Sequence, residues 1–358
     1  MATYTALAID QAKVLGQAFG LDVTAVAGIP AGSVNSNYRL TLADGTVLFA
    51  RVYEEQDAVG AESEARLLDH LARNGVATPR PLPRRDGNGF TFALETHSGA
   101  VTRPKPHTAV SDFPVAHPAK ERLRPGEHLP PGATRPVALF PWRDGEILCQ
   151  ARVTPEAARK VGEKLAEVHH AGQSFGEPKP GRFRIEDLRV RLQRIAEAPD
   201  AALRALVPEI EIRLDRAERE RDPGLSHGII HSDLFRDNVL WQGDTPVALL
   251  DFESACTGSF AYDLMVTVLS WCYGDDFDEH LVRAMFEGYA QKRALSAAEI
   301  AALGTEARIG ALRFTITRIT DYTMRRGLGE RVMKDYRRFF RRHERVDELG
   351  PAFTRWFT

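Results

Sequence analysis

The stretch that decides the fold runs Ile230-His231-Ser232-Asp233-Leu234-Phe235-Arg236-Asp237-Asn238 and resumes at Leu249-Leu250-Asp251-Phe252-Glu253. Between the two, Val239-Leu240-Trp241, Gln242-Gly243-Asp244-Thr245 and Val247-Ala248-Leu249-Leu250 read as strand, turn and strand. A hairpin there predicts that Asp251 folds back beside Asn238. Each aspartate alone reads as an ordinary turn or cap residue. Together, in this order and spacing, they make a set with chemistry.

That set suits phosphoryl transfer. The reaction asks little covalent work of a protein; it needs an oriented hydroxyl and phosphate groups held in line. A carboxylate such as Asp233 can take the hydroxyl proton. An amide oxygen (Asn238) and a second carboxylate (Asp251) are hard oxygen donors suited to magnesium. His231, taken by itself, reads as a buried structural histidine.

Working outward, the chain has 358 residues, 43% hydrophobic and 27% charged, with net charge -2. This is the profile of an ordinary globular protein, near two domains by length. No global field draws it to nucleic acid. Cys149, Cys256 and Cys272 are too few and too scattered for a disulfide framework or zinc site. With no basic leader and no apolar run long enough to span a bilayer, a cytoplasmic location is expected and no membrane partner.

Residues 6–19 have helical spacing and stop at Gly20. Val23 to Phe92 is mostly strand-like, with one helix from Ala61 to Asn74 that stops at Gly75. Val137 to Trp142 is a short apolar run, and helical periodicity dominates from Pro155 except at 239–251. Residues 96–135 hold seven prolines, Pro104 to Pro131, and the spaced histidines His97, His107, His117 and His128. A solvated loop is the expectation there, ahead of a metal site.

The order His-x-Asp, four residues, Asn, hairpin, Asp-Phe resembles the catalytic and metal loops of the protein-kinase-like superfamily. HSDLFRDN followed by LLDFESACTGSFAYDL resembles the aminoglycoside phosphotransferase and choline kinase branch. The opening MATYT with its helix, GIPAGSVNSNY and AYDLMVTVLSW look most like type II homoserine kinases. The likeness runs through nearly the whole chain except 96–135, which reads as an insertion.

The resemblance implies a two-lobed α+β fold: a sheet-rich lobe over 1–138 and a hinge with a mostly helical lobe over 139–358. It implies ATP and Mg²⁺ as cofactors and a small-molecule alcohol as substrate, with L-homoserine on the path to threonine the leading choice. Choline, an aminoglycoside or a sugar is the alternative, and a nucleotide-binding pseudokinase a third. It makes Asp233 the catalytic base, Asn238 and Asp251 the metal ligands, His231 the brace of the loop and Asp263 its anchor. It places Arg51 on the ATP phosphates with Glu64 as its ion-pair partner, and Val137 to Trp142, Phe140 and Trp142 among them, at the adenine hinge. Arginine stands at 51 where many relatives have lysine, which changes the phosphate geometry. Gly32 and Ser33, in Gly28-Ile-Pro-Ala-Gly32-Ser33-Val-Asn35, offer a phosphate cradle that is not GxGxxG and equally suits a plain turn.

The acceptor site is less legible. Phe314, Arg318, Asp321 and Arg325 fall on one helical stripe. Arg318 with Asp321 could grip the two charged ends of an amino acid, or form an ordinary intrahelical pair; Arg313 is the next cation to consider. Asp275, Asp276, Asp278 and Glu279 read as acids at a helix start rather than a metal cluster. Arg337-Arg338-Phe339-Phe340-Arg341-Arg342, with acids nearby, reads as a solvated amphipathic helix rather than a nucleic-acid surface.

Overall fold

The computed structural model describes residues 5–30, 34–95, 134–324 and 334–357. These cluster into two compact units, one from the described parts of 1–66 and 81–142, the other from 67–80, 143–324 and 334–357. Residues 67–80 belong to the second unit, and the change between units comes at Trp142 and Arg143.

The first unit is an antiparallel sheet with one helix, α1 (Ile9–Phe19), packed on it. Its strands are β1 (Val23–Ile29), β2 (Ser36–Leu42), β3 (Val47–Val52), β4 (Thr91–Leu94) and β5 (Arg135–Pro141), in the order β1-β2-β3-β5-β4. Helix α2 (Ala58–Arg73) begins here. Leu15 and Phe19 of α1 pack with Leu40, Ala50, Val52, Val137 and Leu139 from alternate strand positions. Gly20 ends α1 at φ 73°, in the left-handed region a Schellman-type stop requires. Where β2 turns into β3, Asp44 caps the N–H of Thr46 at 2.9 Å. The end of β2 is pinned by a buried carboxylate: Glu54 accepts from Ser36 Oγ at 2.6 Å and Thr5 Oγ1 at 3.0 Å, with Arg135 Nε at 3.2 Å.

The second unit is mostly helical: α3 (Pro155–Gly172), α4 (Ile185–Ala196), α5 (Ala201–Arg204), α6 (Val207–Glu220), α7 (Phe260–Trp271), α8 (Glu279–Lys292), α9 (Ala297–Arg318), α10 (Arg337–Leu349) and α11 (Pro351–Thr354). The expected hairpin is β7 (Val239–Gln242) with β8 (Thr245–Leu249). The sequence did not announce a further ladder, β6 (His227–Ile230) with β9 (Cys256–Ser259). Four residues a side are too short to show alternation against noise. Asp278 caps α8 through the N–H groups of His280 and Leu281, so that acid has a structural use.

Every residue of α7 is buried, which matches its unbroken apolar sequence rather than an amphipathic stripe. Helices α3 and α8 approach so closely that only glycine fits at the crossing. A Cβ on Gly162 would stand 2.1 Å from the Met285 carbonyl oxygen, and one on Gly288 2.0 Å from that of Arg159. Backbone cannot yield as a side chain does. Gly162→Ala and Gly288→Ala are therefore each expected to destabilise by about 2 kcal/mol or more, read as a lower urea midpoint. The open-turn control Gly243→Asn should change it little, since nothing lies within 4 Å of its Cβ position.

Candidate active site

Strand β6 delivers the chain to His231 and then stops, because the backbone at Ser232 turns into the left-handed region at φ 66°. Among the described residues only Ser232 and Asp251, at φ 63°, do this without being glycine. Such a conformation costs roughly 1–2 kcal/mol per residue and persists only where surroundings over-determine it.

For Ser232 the surroundings are explicit. Asp263, one turn into α7, accepts the His231 N–H at 2.7 Å and the Ser232 N–H at 2.6 Å. The Ser232 carbonyl accepts from Arg313 Nη1 on α9. Asp263 also accepts from His169 Nε2 at 2.9 Å, while His169 Nδ1 accepts from the Tyr289 hydroxyl at 2.8 Å. Burial alone would raise the Asp263 pKa; the hydrogen bonds it accepts from His169 and from the His231 N–H outweigh it and hold it below the usual value. Burial keeps His169 and His231 neutral, depressing both pKa values. His231 uses both nitrogens: Nδ1 accepts the Asp233 N–H at 3.3 Å and Nε2 donates to the Leu250 carbonyl at 2.9 Å.

Thus braced, Asp233 is half-buried as a residue. Burial pushes its pKa up to about 7; Arg313 and Lys334 hold it back, while Asp251 and Asp237 add to the rise. A carboxylate so tuned is a better proton acceptor at neutral pH than an ordinary one. Asn238 donates Nδ2 to the Asp233 carbonyl at 2.8 Å, which leaves Oδ1 as its available acceptor. The Asn238 carbonyl accepts the Leu250 N–H at 2.9 Å, closing the hairpin base so that Asp251 follows next in the chain. An amide oxygen and a carboxylate brought together by that closure are the hard donor set a magnesium ion takes. Glu253, two residues on, pairs with Arg182 at 2.9 Å.

In the first unit Arg51 Nη1 meets Glu64 Oε1 at 3.3 Å, and Glu64 is fully buried. Gln56 Nε2 donates to the other Glu64 oxygen at 2.8 Å. Phe140 is buried opposite Phe49 in the ladder. The Trp142 N–H donates to Val47 at 3.3 Å. Gly32 and Ser33 lie outside the described residues, as do most of 96–135 and Arg325.

The acceptor stripe needs correction. Helix α9 ends at Arg318, and the chain continues as a π turn over Ile319–Thr323. Five residues then separate bonded groups instead of four, and Arg318 and Asp321 have different partners. Asp321 pairs with Arg191 of α4 at 2.7 Å, and Arg191 also donates to Thr320 Oγ1 at 2.7 Å. Arg318 instead donates to the Asp335 carbonyl at 3.0 Å. The C-terminal basic helix is also less solvated than its pattern suggests: Arg342 is 5% exposed. His169, Tyr289, Arg191 and Lys334 gave no local signal, since each meets its partner across long stretches of sequence.

The fold and this loop are those of a phosphotransferase. The chain belongs to the phosphotransferase enzyme family, whose model matches residues 25–298. It is an enzyme that phosphorylates a hydroxyl of a small molecule. A homoserine kinase from Nitrobacter hamburgensis is 32% identical over 326 residues, covering 90% of this chain and 87% of its own length. One from Rhizobium meliloti is 31% identical over 329 residues, 90% and 88%. Among solved structures, amicoumacin kinase hAmiN in complex with AMP-PNP, Ca²⁺ and Ami superposes with a TM-score of 0.66 at 13% identity, covering 95% and 94% of the two chains. A microcompartment-associated aminopropanol kinase gives 0.62 at 19% identity, 97% and 98%. At such identities the likeness establishes the kinase-like two-lobed α+β fold. Among the described residues no helix is long and apolar enough to cross a membrane.

The buried histidine carries a pH prediction. A histidine whose folded pKa is depressed must lose a proton to fold, so its stabilising effect is complete above about 6.5 and is lost as pH falls below that. The wild type is expected to lose stability steadily between pH 7 and 5. His169→Gln should flatten that slope by up to ~1.4 kcal/mol per pH unit. Urea midpoints at four pH values check it; equal slopes would place the titrating groups elsewhere.

Proposed function

We propose that the enzyme transfers the γ-phosphoryl group of ATP to L-homoserine, giving O-phospho-L-homoserine and ADP, with Mg²⁺ as the metal. The observation that carries the substrate is the naming of the curated relatives: homoserine kinases at 30–32% identity over 84–90% of this chain. Free Cys149, Cys256 and Cys272 suit a reducing cytoplasm and the route to threonine that this product implies.

Asp233 accepts the acceptor's hydroxyl proton as its oxygen forms the new bond to phosphorus. The bond from phosphorus to the bridging oxygen of ADP breaks, and that oxygen keeps the electron pair. His231 and Asp263 hold the Asp233 backbone still, so orientation is settled before the substrate arrives. Asn238 and Asp251 would hold the metal, which when bound neutralises charge on the phosphate oxygens. Arg51, steadied by Glu64, supplies a planar cation for phosphate.

A polycationic acceptor is disfavoured by the cations facing the loop, Arg313 and Lys334 among them. An ADP-coupled assay with L-homoserine as sole acceptor tests the reading. Asp233→Asn is expected to lower kcat by ~10²–10⁴-fold while ATP affinity stays within a few fold. Asp251→Ala should raise the Mg²⁺ concentration needed for half-maximal rate and leave a residual rate even at saturation. Turnover with choline and none with homoserine would overturn the substrate; an active Asp233→Asn enzyme would overturn the base.

A further inference from the structure

Among the described residues, several cations near the Asp233 loop have no carboxylate within ion-pair distance. On α9 and α10, Arg308, Arg337, Arg341 and Arg345 each lie within 4.0 Å of a carboxylate. Among the described residues Arg313, Arg318, Lys334 and Arg342 have no such partner. Three of the unpaired set act on the loop: Arg313 donates to the Ser232 carbonyl, and Lys334 and Arg318 feel the charge of Asp233.

The guanidinium groups of Arg318 and Arg342 lie over the same ring, Phe339, at 4.3 and 4.2 Å from its centroid. Phe339 packs on Phe235, 5.8 Å away, which lies inside the loop between Asp233 and Asn238. Lys334 Nζ sits 5.7 Å from the Tyr322 ring, and the charges of Asp233 and Asp237 reach both Lys334 and Arg318. Arg342, 5% exposed, has the Tyr273 ring at 4.8 Å on another side. Among the described residues no acceptor reaches its Nε or that of Arg318.

Aromatic faces satisfy a guanidinium only in part. A cation over a ring gains roughly 0.5–2 kcal/mol, whereas buried donors left unmatched cost about as much each. Burial brings the Arg318 pKa down to about 10 and that of Arg342 down to about 9, with Arg318 and Arg338 adding to the latter. An anion bound at Arg318 would match donors that the ring leaves unsatisfied. The acceptor must bring it, since its hydroxyl has to lie at Asp233.

We propose that Arg318, Lys334 and Arg342 form the site for the acceptor's carboxylate. The site takes hydroxy acids and amino acids whose carboxylate lies a few bonds from a primary hydroxyl. This rests on the kinase reading above and adds to it the residues that choose the acceptor. Lys334 and Arg318 touch the carboxylate, while Arg342 closes the site from behind Phe339.

The probe is a pair of acceptors, L-homoserine and L-homoserinol, in which a neutral hydroxymethyl replaces the carboxylate. The wild type should prefer homoserine by ~10³-fold or more in kcat/KM, because homoserinol leaves buried cations unmatched. Lys334→Met and Arg318→Met should each cut homoserine kcat/KM by about 10²-fold, mostly through KM, while homoserinol use and the KM for ATP stay within about threefold. Lys334→Arg should recover most of the loss. Arg342→Met should act in the same direction; if it fails to fold, the other two decide. Retention of the full preference by Lys334→Met and Arg318→Met would overturn the site.

Failure of the homoserine reading is separable. If the wild type turns over neither acceptor, sulfate titrated into nucleotide-free protein still reports on the site. Sulfate binding weakened at least tenfold by Arg318→Met and not by Arg51→Met supports it. Sulfate binding indifferent to Arg318, or lost with Arg51 instead, overturns it.

Discussion

The active loop depends on one carboxylate. Asp263 accepts both the His231 and the Ser232 N–H groups, at 2.7 and 2.6 Å, and so pins a backbone that would otherwise leave its left-handed turn. Two charge-assisted bonds of this kind are worth about 1.5–3 kcal/mol each, enough to outweigh the conformational cost at Ser232. The anchor is secured in turn by His169, itself held by Tyr289. Asp233, Asn238 and Asp251 inherit their positions from that chain of bonds. None of the three supplies it.

Charge is distributed with a similar economy. Buried acids in regions away from the loop are matched: Glu64 by Arg51, Glu306 by Arg221, Glu54 by Arg135. Near the loop Arg313, Arg318, Lys334 and Arg342 have no carboxylate within 4.0 Å among the described residues. These cations stand together in a protein whose net charge is -2, so the local charge is not a property of the chain as a whole.

Much of this was readable from the chain. The hairpin after Asn238, the stops at Gly20 and Gly75, and the first helix, read over 6–19 and found at Ile9–Phe19, follow from local turn chemistry and spacing. The loop motif was legible because its geometry is encoded within some twenty consecutive residues. What failed was whatever depends on a distant partner or a break in period. Arg318 and Asp321 looked like neighbours because an α-helical period was assumed, and the π turn at Ile319–Thr323 removes it. Arg342 looked solvated because arginines flanking aromatics usually are; Phe339 and Tyr273 enclose it instead. The ladder of His227–Ile230 with Cys256–Ser259 was too short to read.

The burial of α7 has a consequence for how the enzyme comes and goes. Its twelve residues are all inside, and the anchor of the catalytic loop sits among them. The loop therefore cannot assemble before the core of its unit has closed, nor open while that core is intact. Protection of the His231 and Ser232 amides against hydrogen exchange should track global unfolding rather than local fraying. During synthesis, a chain whose α7 has not yet packed lacks the carboxylate that holds the Ser232 turn.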